Sequence, residues 1–137
     1  MFKKIKFSLL AIAFAIFVGV FVSCSEPKAA SIFGEWKSPY GDGYSISETT
    51  VVYDDGGYGY GYTGTIEEIT NDYIFFSLEN KTKFDAICYK NLTENSCEFS
   101  WAYKGVEKTY CNSLEEAKEE FTIDNGYFGY FGEYVRN

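Results

Sequence analysis

The sequence predicts a mainly β fold: a small antiparallel β-barrel or barrel-like sandwich of about eight short strands, with one short C-terminal helix. Three observations predict it. The middle of the chain alternates polar and apolar positions and is punctuated by Gly, Asn and Asp, the pattern of short strands joined by tight turns. Within Ser96 to Tyr103, Cys97, Phe99, Trp101 and Tyr103 share one face while Glu98, Ser100 and Ala102 share the other, which predicts one core face and one wet face. Ser113-Leu-Glu-Glu116 is a capping box, in which the Ser hydroxyl takes the amide of Glu116 and the Glu116 carboxylate reaches back to the amide of Ser113.

The N-terminus has a different character. Met1 to Lys6 carry three lysines, and Phe7 to Val22 then run without a charge up to Ser23-Cys24, the order of an export signal. As a helix these sixteen residues would reach only about 24 Å, short of the roughly 30 Å hydrocarbon core. Residues 1–23 are therefore expected to be a removable leader rather than a spanning helix. Ser25-Glu-Pro-Lys-Ala-Ala-Ser31 is short, polar and broken by Pro27, which suits a flexible tether, and the folded part is expected to occupy residues 32–137 as a single β domain.

Strands are expected at 35–38, 43–48, 50–54, 58–69, 72–79, 83–90, 96–103 and 106–111. Asn71-Asp72 and Lys104-Gly105 supply the chemistry of tight turns, Gly105 through its tolerance of positive φ. The helix is expected at about Leu114 to Phe121. Leu114, Ala117 and Phe121 form its apolar stripe, which should lie against the sheet or across a barrel mouth. Asp124-Asn-Gly-Tyr-Phe-Gly-Tyr-Phe-Gly132 reads as a turn and an aromatic segment of unassigned state.

Composition restricts function more than it assigns it. Without residues 1–23, which hold three lysines and no acids, 114 residues remain with nine basic and 20 acidic side chains, a net charge of −11. That length supports one core, and that charge argues against nucleic acid as a partner. Histidine is absent and Met1 is the only methionine, so imidazole-activated nucleophiles and His- or Met-ligated metals are excluded. The acidic pairs Asp54-Asp55 and Glu67-Glu68 are the remaining candidates for carboxylate chemistry, but strand neighbours point to opposite faces, so only one of each pair could look into a common cleft. No catalytic residue, cofactor or metal site is expected.

Cys24 aside, Cys88, Cys97 and Cys111 allow one pair and one leftover. If residues 90–95 join adjacent strands, Cys88 and Cys97 can bridge; a one-residue bulge near Lys104-Gly105 would instead permit Cys97 with Cys111. Tyr58, Tyr60 and Tyr62, interleaved with glycine, are the candidate ligand-binding residues, because Tyr on a sheet can stack on sugar rings or line an apolar groove while its hydroxyl stays wet.

Phe21-Val22-Ser23-Cys24 resembles the lipobox of bacterial lipoproteins, with Phe21 in place of the usual leucine, a looseness familiar among spirochaetes. The resemblance implies cleavage before Cys24, which becomes residue one and carries a thioether-linked diacylglycerol, commonly with a further acyl chain such as palmitate on its amine. Two or more chains suffice for stable anchoring. Phe33-Gly-Glu-Trp-Lys37, Gly41-Asp-Gly-Tyr44, Tyr53-Asp-Asp-Gly-Gly-Tyr58, Gly64-Thr-Ile66, Tyr89-Lys-Asn-Leu92, Asn95-Ser96 and Leu114-Glu-Glu-Ala-Lys118 are similar to stretches in a family of small treponemal lipoproteins without an assigned activity. Gly34-Glu-Trp36 further resembles the G-x-W of lipocalins, which implies a barrel closed at one end by Trp36 under an arginine, here Arg136, the chain's one arginine.

The function expected is thus a lipoprotein of the cell envelope, at the outer membrane or cell surface rather than the inner membrane, held through lipid on Cys24, monomeric and non-catalytic. Its β domain either binds a small apolar or carbohydrate ligand, as a lipocalin-like carrier would, or works as an envelope structural or contact protein. A carboxylate-only hydrolase is the third reading.

Overall fold

The computed structural model describes residues 29–105 and 109–137; Cys24 and the expected leader lie outside the described residues. Eight strands, β1 (Gly34–Lys37), β2 (Gly43–Ile46), β3 (Thr50–Asp54), β4 (Tyr62–Ile69), β5 (Tyr73–Leu78), β6 (Lys83–Lys90), β7 (Ser96–Trp101) and β8 (Gly132–Arg136), form a closed antiparallel barrel in sequence order. One helix, α1 (Leu114–Glu120), lies between β7 and β8 in the chain. The fold class expected from alternation is the fold found.

The count is right, but the eighth strand is not the one expected. Residues 106–108 of the expected 106–111 strand lie outside the described residues, and Cys111 contributes only an isolated bridge to Phe84. The barrel is closed instead by the tail: β8 pairs Cys97 with Tyr134 on β7 and Trp36 with Arg136 on β1. Five residues in an aromatic tail carry no strand signal of their own. They are strand because two edges, β1 and β7, would otherwise expose unpaired amides and carbonyls.

Arg136 also seals that end. Its guanidinium lies 4.1 Å over the Trp36 ring and donates to the carbonyls of Glu94 (2.7 Å), Phe33 (2.7 Å) and Ser31 (2.6 Å). Trp36 is fully buried and donates its indole N–H to the Ile32 carbonyl at 2.8 Å. Gly34 stands beside them at φ +132°, where a Cβ would collide with Arg136 Nη1. The Gly of Gly34-Glu-Trp36 is thus the residue that admits the arginine.

Inward side chains fill the barrel, as an eight-stranded interior allows. Trp36, Ile46, Val51, Ile74, Phe76, Ile87 and Phe99 are buried there, each contributing roughly 1.5–3 kcal/mol relative to exposure. A second core lies outside the barrel. Phe75, Ala86 and Cys88 on the outer faces of β5 and β6 are covered by Ala117 and Phe121 of α1 and by Tyr127 and Phe128 of the tail. Of the two placements expected for the helix, it takes the one against the sheet.

This outer core explains two departures from expectation, and a third lies at the helix cap. The β7 face expected to be wet is covered, with Ser100 and Ala102 buried, while Trp101 and Tyr103 on the expected core face are about half exposed where β7 ends. Cys88 and Cys97 are both buried free thiols, Cys88 among the outer residues and Cys97 inside the barrel, so their expected pairing is overturned. The register explains this: Cys88 stands opposite Ser100, so it shares the face of Ser100 and not that of Cys97. The capping box is shifted as well. Ser113 Oγ accepts from the Glu116 amide at 3.1 Å, but the Glu116 carboxylate takes the amide of Asn112, at 2.8 Å, instead of that of Ser113.

A bulge between Ile66 and Glu68 on β4 turns both Glu67 and Glu68 outward. Glu68 meets Lys118 of α1 at 2.8 Å and Glu67 accepts from Ser77 Oγ at 2.6 Å. The two are held apart, Glu68 on Lys118 and Glu67 on Ser77, and do not face each other as a carboxylate pair.

Replacing Arg136 by Ala removes three carbonyl partners and the ring contact at once, and a loss of roughly 2–4 kcal/mol in unfolding free energy is expected by urea titration. Arg136→Lys restores only part of it, since one ammonium cannot span three carbonyls as a planar fork does. Wild-type stability in the Ala variant would show that β8 closes the barrel without this contact.

Candidate functional site

In an up-and-down barrel the ends are not equivalent. The β2–β3, β4–β5 and β6–β7 turns gather with Ile32 and Arg136 at the sealed end. The β1–β2 and β3–β4 loops, the end of β7 and the start of β8 gather at the other, where there is a cup of about 670 Å³ with a smaller recess of about 280 Å³ beside it.

The β3–β4 loop forms one wall. Strand was expected from residue 58, but β4 begins at Tyr62 because Gly57 (φ +103°) and Gly59 (φ +90°) turn the chain through conformations a strand does not use. Asp55 organises the loop, its carboxylate accepting the amides of Gly57 and Tyr58, both at 3.0 Å, and of Tyr60. Those amides, that of Tyr60 foremost, hold its pKa below the usual carboxylate value. Tyr58 and Tyr60 are thereby presented at the lip, 82% and 81% exposed.

The three candidate tyrosines therefore converge on one mouth with different roles. Tyr58 and Tyr60 line the cup, Tyr60 also lines the recess, and Tyr62 points inward, stacked on Phe76 at 5.2 Å between centroids. Tyr44 and Tyr53 continue this inner layer, 4.9 Å apart.

The opposite wall is built by residues that sequence reasoning did not single out. Trp101, at the end of β7, lines both cavities, and Tyr40 and Tyr130 stand at the rim, 91% and 76% exposed. The only sequence sign of Tyr130 was the aromatic texture of 127–132; for Trp101 it was the end of an alternating strand.

Two inner carboxylates were also missed. Asp42 accepts hydroxyls from Tyr134 (2.6 Å), Tyr53 (3.3 Å) and Ser38. Burial acts to raise its pKa, but these hydroxyls outweigh burial and hold it below the usual value. Burial, with the nearby Asp42 carboxylate adding to it, pushes the Tyr53 phenol up to about 12. Asp85, inward on β6 opposite Phe76, lines the recess with Tyr44, Tyr53, Tyr60, Tyr62 and Trp101. Its hydrogen-bond donor among the described residues is the Ala86 amide, on Oδ1 at 2.8 Å, and burial raises its carboxyl to about 7. The residues flanking Asp85 are apolar on both parities, Phe84-Asp-Ala-Ile87, so alternation could not reveal which face it takes.

Chemically the arrangement offers ring faces, phenol hydroxyls and carboxylates. Among the described residues no group of three or more Cys, Asp or Glu is placed to hold a metal ion, and no helix is long and apolar enough to cross a membrane. No family model, curated protein or solved structure matches this chain.

Asp85 binds its proton more tightly folded (about 7) than at the ordinary 3.8, so stability falls as pH rises from 4 to 7 and the full penalty holds above 7. Discounted for its partial exposure, the penalty is of order 1–3 kcal/mol. Asp85→Asn is expected to stabilise the protein by about that amount at pH 8 and to leave it nearly unchanged at pH 4. Urea titrations at the two pH values test this, and an equal effect at both would mean that Asp85 is not the group that titrates.

Proposed function

We propose that this chain is a lipid-anchored envelope protein that binds a small ligand, without turning it over, in the open end of its barrel. The observation that carries the reading is the position of the cup. The described chain joins the barrel through Ile32 at the end sealed by Trp36 and Arg136, and the aromatic cavity opens at the other. A lipid on Cys24, joined through a tether at residues 25–31, would hold the sealed end toward the bilayer and leave the cup facing away.

Support for anchoring comes from the order of the first residues, three lysines, an uncharged apolar run and the lipobox-like Phe21-Val22-Ser23-Cys24. Support for binding comes from the chemistry of the mouth. Protein ligand sites are concave and largely apolar, of roughly 300–1,000 Å³, with a few polar groups that fix orientation. The barrel below the cup is filled, so the ligand sits at the mouth and does not run through the interior as in a hollow carrier. The rival role, an envelope contact protein working through its surface, draws on the same exposed rings of Tyr40, Tyr58, Tyr60 and Tyr130.

The test is to express the chain with its leader, extract it in detergent and examine the mature product. It is expected to begin at acylated Cys24 and partition into detergent, and Cys24→Ala is expected to move it to the aqueous phase. Native mass spectrometry of the mature protein is expected to show a small-molecule adduct that Trp101→Ala loses. A product starting elsewhere would sink the anchoring; a mouth that takes up no small molecule would favour the contact role.

A further inference from the structure

The two cavities have an uneven charge. Asp42, Asp55, Asp85 and Glu133 line them, and among the described residues no lysine or arginine does. The inner acids differ in how far they are already satisfied. Asp42 is taken up by three hydroxyls and Asp55 by three backbone amides. Asp85 has the Ala86 amide on Oδ1, and no donor among the described residues reaches Oδ2.

Resting on the proposed binding role of this mouth, we infer that its ligand is an organic cation with a primary ammonium group, seated in the recess against Asp85 among the tyrosine rings and Trp101. An anion would find phenol hydroxyls to donate to it, but it would be repelled by the carboxylates and by the negative faces of the aromatic rings, with no cation among the described lining residues to offset them. A neutral sugar could stack on Trp101 and Tyr60 but would leave the Asp85 charge uncompensated in a partly buried site. An ammonium supplies the missing charge and N–H donors, and the surrounding rings favour it further through cation–π attraction. A quaternary ammonium would keep the charge attraction and the ring contacts but has no N–H to donate to Oδ2. The recess, at about 280 Å³, suits the ammonium end and a few carbons; the cup, at about 670 Å³, suits a ring or chain attached to it.

The inference includes a pH dependence. Asp85 is faced by the phenols of Tyr44 on β2, Tyr53 on β3, Tyr60 on the β3–β4 loop and Tyr62 on β4, with Trp101 on β7 and Phe76 on β5 adding no titrating group. Asp42 acts on the same tyrosine layer through Tyr53 and Tyr134. Burial holds Tyr44 and Tyr62 well above the usual phenol value and Tyr53 at about 12, while Asp42 is held below the usual carboxylate value. Asp85, at about 7, is the inner group that changes charge in the neutral range. An ammonium must displace its proton at low pH, so binding weakens as pH falls below 7.

The test titrates the mature, detergent-solubilised protein at pH 8 with four probes of one shape: benzylamine, benzyltrimethylammonium, benzyl alcohol and benzoate. Calorimetry and Trp101 fluorescence are the readouts. Benzylamine is expected to bind at least about tenfold more tightly than benzyl alcohol, a charge-assisted hydrogen bond's worth, with the quaternary ion between them and benzoate weakest. Asp85→Asn is expected to bring benzylamine down to the alcohol's affinity and leave the alcohol unchanged. Benzylamine affinity should fall by about tenfold per pH unit below 7, the alcohol's should not, and bound benzylamine should lower the Asp85 pKa followed by carboxyl NMR.

Alcohol binding as tight as amine binding, or an amine affinity indifferent to Asp85→Asn, overturns the ammonium inference while leaving the cup as a binding site. Failure of all four probes counts against both. Circular dichroism of the variant separates loss of binding from loss of fold.

Discussion

The structure depends on the contact of Arg136 with Trp36. One guanidinium covers the indole and collects the carbonyls of Ser31, Phe33 and Glu94, so two separate stretches of backbone, at 31–33 and at 94, are pinned at one end of the barrel. It also sets β8 between β7 and β1, which removes both sheet edges. Sealing one end has a consequence for function, because the cavities that remain are at the other.

Packing explains why so little empty space is left. Aromatic rings from β2, β3, β4, β5, β7 and β8 meet inside the barrel: Tyr44 touches Tyr53, Phe99 and Tyr134, and Tyr62 stacks on Phe76. Offset and edge-on ring pairs add to the gain from burial. The layer ends at Asp85, a carboxyl placed where a further ring or aliphatic group would stabilise the core better. A partly buried acid raised to about 7, with no side-chain hydrogen-bond partner among the described residues, costs stability, as is common at binding sites.

The outer core has a different task. Segment 109–131 returns over β5 and β6 and buries Phe75, Ala86 and Cys88 beneath Phe121 and Tyr127, so those two strands carry apolar side chains on both faces. It also carries the chain back to the mouth, where Tyr130 completes the rim before β8 begins. The helix is held to the barrel by its apolar stripe and by Lys118 on Glu68, which the β4 bulge turned outward.

The sequence by itself determined the local and periodic features: the β class, seven strands near their expected positions, the Asn71-Asp72 turn and the helix with its Ser113 cap. Each of these is set within a few neighbours, by alternation, turn chemistry or a cap. Tyr58, Tyr60 and Tyr62 were legible as candidates because Tyr and Gly interleave there, and the mouth does bring them together. Only the tertiary structure decided which segment closes the barrel, which face Cys88 and Asp85 take, and that Trp101, Tyr130 and Asp42 join the same mouth. The physical reason is common to all of them. Strands β5 and β6 are covered on both sides, so hydrophobicity no longer tells inside from outside, and the partners of β8 lie dozens of residues away in the chain, beyond the reach of any local signal.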